Sequence, residues 1–198
     1  MYVIMYENGE KMLYTNEMHF ERSYKPMKET LIDLKERRTC RSYKEEQIKD
    51  EELNAVLEAG TYAPTGRGMQ SPIMVVIQNP ELIKKLSIMN AQVMGTDTDP
   101  FYGAPTVIIV LADKTRNTYK EDGSLVMGNL LNAAHAVGLG SCWIHRAKEV
   151  FESEEGKALL NEWGIEGDYE GIGHCILGYA NEVVPAKPRK DNYVIRVK

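Results

Sequence analysis

The chain has 198 residues and a mass of 22.4 kDa, and 43% of the residues are hydrophobic, enough for one domain, with or without an appendage, and a full core. A formal net charge of −5 and a pI near 5.5 argue against a nucleic-acid partner. No apolar run approaches bilayer length, and no basic region followed by an apolar core opens the chain, so a soluble, cytoplasmic protein without a membrane partner is expected.

The first 26 residues read as an N-terminal extension. Two apolar stretches, residues 2–6 and 11–14, flank Glu7-Asn8-Gly9-Glu10, and Asn-Gly is the dipeptide that best tolerates the positive φ angles of a type I′ turn. A β-hairpin arm is expected there, too small for a core of its own and so packed on the main domain or on a partner. From residue 27 the main domain runs to residue 198, and helices and strands alternate. Leu31, Ile32 and Leu34 give a first helix an apolar stripe that runs into a basic cluster. A second helix takes Asp50 as N-cap and presents Leu53, Val56, Leu57 and Gly60 on one face until Pro64 stops it. A buried strand is expected at 73–78, a helix capped by Asn79 with Pro80 in its first position through about Met94, and a second buried strand at 106–112. Residues 125–137 read as a helix that is apolar nearly all round; its Gly128, Ala133, Ala134 and Ala136 suit close approach of another backbone, as in a core or dimer helix. A strand at 141–144, a helix at 149–163, a strand at 172–179 and a terminal strand-like segment at 193–197 complete an α+β or α/β pattern around one sheet.

Two short basic clusters stand out in this acidic chain. Arg37-Arg38-Thr39-Cys40-Arg41 and Lys187-Pro188-Arg189-Lys190 together hold six of the 24 Lys and Arg residues, so the positive charge is local. A small anion suits such clusters, because Arg forks and a Thr hydroxyl satisfy phosphate oxygens by charge-assisted hydrogen bonds. A solvated helix end, whose dipole cations complement, would have the same composition.

Other motifs carry less. Gly138-Leu139-Gly140-Ser141 lacks the third glycine of a dinucleotide loop and follows a helix where that loop follows a strand, so it reads as a helix C-cap. Histidines 19, 135, 145 and 174 have no metal-ligand spacing, and no metal site is expected. Cys40, Cys142 and Cys175 are widely spaced without a CxxC pair, which argues against a disulfide framework or zinc, and Cys142 has no sign of an activating partner. No GxSxG occurs, so covalent hydrolysis has no support. There remains the loop at 63–72, APTGRGMQSP, with two glycines, hydroxyls and an amide between a helix and a buried strand.

Taken in order, RRTCRSY (37–43), APTGRGMQSP (63–72), DPFYGAP (99–105), AAHAVGLGSCWI (133–144), HCILGYA (174–180) and KPRK (187–190) closely resemble the nitroreductase family of flavin enzymes, over residues 27 to about 190. The resemblance implies an α+β fold, a three-layer α/β/α sandwich around a mainly antiparallel sheet. It also implies an intertwined homodimer with FMN in each of two grooves at the subunit interface. By position, Arg37 and Thr39 match residues facing the flavin phosphate, Arg38 the ribityl chain and Arg41 the pyrimidine edge, while Lys187 and Arg189 match the C-terminal phosphate pair. Pro64, Thr65, Gly66 and Gln70 match the loop that the partner subunit lends to the same flavin. Trp143, Ile144 and His145 match a backbone segment lying against the ring. Two positions depart from the common pattern: Thr39 replaces the commoner Ser, and Gly68 stands where many members have Asn.

The family's chemistry follows from its cofactor. Reduced FMN accumulates negative charge at N1 and the adjacent carbonyl, so a cation there raises the reduction potential, and Arg41 is the candidate. Hydride from NAD(P)H enters at flavin N5 and leaves to a nitroaromatic, quinone or similar planar acceptor in the same place, a ping-pong cycle that needs no acid or base side chain. Relatives with another redox task, such as reductive dehalogenation or a different electron donor, and a non-catalytic FMN-binding or storage protein are alternatives.

Overall fold

The computed structural model describes residues 2–7, 10–15 and 28–197. The chain divides into two compact units, with the boundary between Ile32 and Asp33. In the first, strand β1 (Tyr2–Glu7) pairs antiparallel with β2 (Glu10–Thr15), in a register from Tyr2 opposite Thr15 to Glu7 opposite Glu10. The turn expected at Asn8-Gly9 lies outside the described residues. Helix α1 (Glu29–Glu36) crosses the boundary and buries none of its residues; Leu31, Ile32 and Leu34 of the expected apolar stripe are all exposed.

The second unit is built on a four-stranded sheet in the order β3-β4-β6-β5, with every neighbouring pair antiparallel: β3 (Pro72–Ile77), β4 (Thr106–Asp113), β5 (Gly140–Ile144) and β6 (Tyr169–Gly178). Seven of the eight residues of β4 are buried, because this central strand is covered on both faces. Alternation along it assigns the two cores. Val107, Ile109 and Leu111 face a layer made by α3 (Pro80–Met94), α5 (Ala147–Glu152) and α6 (Glu154–Glu162). Ile108, Val110 and Ala112 face α2 (Asp50–Thr61) and α4 (Tyr119–Ala136). The result is a helix–sheet–helix sandwich of the kind expected.

Local chemistry accounts for the element ends. Asn79 caps α3 by accepting the Leu82 N–H at 3.0 Å, with Pro80 in the first helical position, as the sequence predicts. At α2 the cap is Lys49, not Asp50: the Glu52 carboxylate reaches back to the Lys49 N–H at 3.0 Å, so the acidic first turn supplies its own acceptor from inside the helix. The helix expected at 149–163 is two, because Ser153 adopts extended backbone, φ −69° and ψ 158°, and caps α6 through its hydroxyl and the Gly156 N–H at 3.0 Å. Helix α4 starts at Tyr119, six residues before the apolar run that announced it. Gly138 and Leu139 return their N–H groups to His135 and Ala134, so the GLGS stretch closes α4 as a C-cap. Residues 193–197 form no strand; Tyr193, Val194, Ile195 and Val197 are at least 70% exposed. An edge segment needs a neighbour to pair with, and the described residues supply none there.

Candidate active site

The topology brings together the two basic clusters that lie about 150 residues apart. A parallel bridge joins Thr39 to Ser141 beside β5, with the Cys40 N–H donating to the Ser141 carbonyl at 2.9 Å. Beyond it, Lys44 N–H donates to Tyr179 O at 2.9 Å, Asn181 N–H to Ser42 O at 3.0 Å and the Asn181 amide to Tyr43 O at 2.8 Å. The chain leaving β6 is thereby tied to the segment that follows α1, and its continuation returns over the arginines. Arg37, Arg38, Thr39 and Arg41 share one cavity of about 640 Å³ with Val184, Pro185, Lys187 and Arg189.

Charge and donors define what this cavity suits. Among the described residues no carboxylate lines it, and none of Arg37, Arg38, Arg41, Lys187 and Arg189 is in an ion pair with another described residue. Two guanidinium groups are held by backbone carbonyls: Arg38 Nη1 donates to Lys35 O at 2.6 Å and Arg37 O at 2.7 Å, and Arg189 Nη2 donates to Lys187 O at 2.8 Å. Each fork keeps further donors for a ligand. Like charges gathered this closely repel one another, and an anion among them lowers that cost, so a phosphate monoester fits the donor set.

The parallel bridge at Thr39 sets the basic segment beside Ser141, in the first part of β5, and the Arg41 charge is felt at Cys142. Ile144 is buried, Trp143 and His145 are exposed, and the Trp143 indole lies over Gly173, where any Cβ would overlap its Nε1. The turn that follows is held by a residue the sequence did not single out. Asn90, fully buried on α3, donates its amide to the His145 carbonyl at 2.8 Å and accepts from Arg146 Nε at 3.1 Å, beside Arg146 in a left-handed conformation at φ 74°. Burial pushes the Cys142 thiol up against the opposing pull of Arg41, and it pushes Cys175 up further. Neither thiol is poised as a nucleophile.

Pro64, Thr65, Gly66 and Gln70 do not reach the basic cavity of the same chain. They form the connection from α2 to β3, and Thr65 and Gln70 border a separate hollow of about 180 Å³. The loop is tightly wound: Arg67, Gly68 and Gln70 all have positive φ, at 55°, 67° and 50°. For the two side-chain-bearing residues this costs roughly 1–2 kcal/mol each. Thr65 holds it from within, accepting from Gln70 N–H at 2.9 Å through its hydroxyl and from Gly68 N–H at 2.9 Å through its carbonyl. Asp122, at the start of α4 and likewise unpredicted, holds it from outside through the Gly66 N–H at 2.9 Å. Both missed residues are buried polar groups on helices, and only the absence of an apolar side chain at a buried position marks them.

Known proteins point the same way as this geometry. The family model described as Nitroreductase family matches residues 34–179. A protein of Archaeoglobus fulgidus named "Putative NADH dehydrogenase/NAD(P)H nitroreductase" is 31% identical over 162 residues, covering 79% of this chain and 88% of that protein. Among solved structures, a nitroreductase with bound FMN from Bacteroides fragilis superposes with a TM-score of 0.80 at 26% identity, covering 87% of this chain and 100% of that one. Another with bound FMN, from Desulfitobacterium hafniense, gives 0.78 at 26% identity with the same coverage. The family model covers residues 34–179 and the fold superposes on these solved structures; the chain belongs to the nitroreductase family.

Proposed function

We propose that this protein is an FMN-dependent oxidoreductase that takes hydride from NAD(P)H and passes it to nitroaromatic, quinone or similar planar acceptors, working as a homodimer with FMN at the subunit interface. The observation that carries the reading is the convergence of Arg37, Arg38, Thr39, Arg41, Lys187 and Arg189 on one cavity. FMN supplies, when bound, a two-electron carrier that exchanges hydride with a stacked nicotinamide and then with the acceptor. The chain's own residues then have distinct tasks. Arg37, Thr39, Lys187 and Arg189 would bind the phosphate, Arg38 would serve the ribityl chain, Arg41 would offer a cation to the pyrimidine edge, and Trp143, Ile144 and His145 would lie against the ring.

Assembly completes the site in this reading. Pro64, Thr65, Gly66 and Gln70 act on the cofactor held by the other subunit, which accounts for their distance from the basic cavity of their own chain. Exposed Leu31, Ile32 and Leu34 on α1, and Leu125 on α4, are apolar surface that a second copy would cover. So is the tail at 193–197, which would extend the partner's sheet.

The test is turnover. Purified protein is expected to be yellow, to release FMN and not FAD on denaturation, and to bleach anaerobically with NADH or NADPH and regain colour with a quinone. Double-reciprocal plots for nucleotide and acceptor are expected to be parallel, since both use one open face in turn. A colourless protein that does not bind added FMN would sink the cofactor assignment. A bound flavin that neither nucleotide bleaches would favour storage.

A further inference from the structure

We infer that Asp122 is a positioning residue for the cofactor: its carboxylate sets the wound loop 63–72 in the shape that meets the flavin. The inference rests on the FMN reading above. Asp122 is only 3% exposed, yet it sits in the first turn of α4, where acidic side chains ordinarily face solvent. Its Oδ1 accepts the Gly66 N–H at 2.9 Å, and its Oδ2 faces the hydroxyls of Thr118 at 3.2 Å and Ser71 at 3.5 Å. One carboxylate therefore faces the loop at Gly66 near its start and at Ser71 near its end.

The approach leaves no slack. A Cβ on Gly66 would overlap the Thr118 hydroxyl, so a larger residue there must displace the Thr118 side chain or lift its own N–H off Asp122. Between the two points of attachment lie the left-handed residues Arg67, Gly68 and Gln70, which need external restraint to persist. The hydrogen bonds within the loop, from Thr65, shape the turn but do not fix it to the domain. Asp122 does both: it binds the loop's backbone, and α4 carries it on the same core as the central strands. An N–H held by a carboxylate is among the stronger neutral-to-charged hydrogen bonds, and leaving it unmade strands a part-buried donor. Loss of the carboxylate releases the loop that this reading gives to the partner's flavin.

The experiment compares Asp122→Leu, Asp122→Asn and Gly66→Ala with wild type as purified holoprotein, measuring FMN dissociation constants by fluorescence and the visible circular dichroism of bound flavin. Asp122→Leu removes the acceptor at similar volume, and Gly66→Ala pushes the N–H off it with the carboxylate intact. Both are expected to weaken FMN about 10- to 100-fold and to change the flavin dichroism. Asp122→Asn keeps an oxygen for the Gly66 N–H and is expected to stay within about fivefold of wild type. A global loss of stability lowers the melting temperature without altering the dichroism of flavin still bound, so the spectrum separates positioning from folding. If Asp122→Leu does not fold, Gly66→Ala and Asp122→Asn decide. Gly66→Ala within about fivefold of wild type, or Asp122→Asn as weak as Gly66→Ala, overturns the inference. Wild type that binds no FMN would instead defeat the cofactor reading on which it stands.

Discussion

At the scale of single residues the cavity makes separable predictions for its cations. If Arg37 and Arg189 hold the phosphate as proposed, replacing either by Ala would remove charge-assisted bonds of about 1.5–3 kcal/mol each, and is expected to raise the FMN dissociation constant roughly 10- to 100-fold while flavin reduction in the occupied fraction keeps its rate. Arg41→Ala is expected to do the reverse, slowing reduction in stopped-flow more than it loosens FMN. Loss of cofactor affinity alone in all three would remove the electronic role from Arg41. A second residue-scale prediction concerns His174. It is fully buried between the rings of Phe101 and Phe151, and neither nitrogen meets a partner in good geometry. Burial lowers its pKa to about 3, and the Ile144 backbone, which favours the cation, offsets only part of this. The unfolded imidazole protonates near 6.5, so below that pH the unfolded state takes up a proton that the native state refuses. Stability then falls by up to about 1.4 kcal/mol per pH unit until the native ring protonates as well, near 3. Urea midpoints of wild type and His174→Leu, followed from pH 7 to 4.5, should show the variant losing less stability with acid; parallel curves would mean that this ring is not responsible.

Among the elements, periodicity and capping chemistry made most of the sandwich legible, and the failures have physical causes. The strands at 106–112 and 172–179 were readable because burial on both faces leaves continuous apolar runs, and the extra residues at their ends, Asp113 and Tyr169, pair with each other at the polar rim. The start of α4 was not readable: Asp122 and Gly123 are buried to serve the loop 63–72 and to pack on Ile172, so the first turns carry no apolar stripe. The break at Ser153 was hidden because Glu154 and Glu155 continue a good helical composition after the cap. In the site, the arginines were visible as a charge anomaly, and the structure gathers them with Lys187 and Arg189 on one cavity. Asn90 and Asp122 were not visible, since their roles are contacts with backbone groups 55 and 56 residues away in sequence. Caps that were read correctly should carry ordinary energies. Asn79→Ala is expected to lower stability by about 1 kcal/mol in chemical denaturation and leave FMN binding unchanged.

The molecule as a whole has more apolar surface at its periphery than one chain covers, and its two ends should respond differently to removal. The family match begins at residue 34, and both sandwich cores lie within 33–198, so deleting residues 1–26 is expected to leave FMN occupancy intact while lowering the melting temperature. The C-terminus presents the opposite case. Val194, Ile195 and Val197, 71%, 86% and 93% exposed, are β-branched residues of a kind that stabilises strands, yet they pair with nothing among the described residues. Strand β3, meanwhile, pairs only with β4 among the described residues and keeps an open edge, five of its six residues being half-buried. An open apolar edge and an unpaired β-branched tail on the same chain are complementary, and joining them between two copies satisfies both. Deleting residues 192–198 is therefore expected to shift the protein toward monomer on dilution in analytical ultracentrifugation. On the proposed shared site FMN should be released in parallel, because each basic cavity would then lose the loop assigned to the other subunit. A truncated protein that remains dimeric and keeps its flavin at nanomolar concentration would show that the tail does not hold the pair together. A monomer that retains full FMN would instead overturn the shared site.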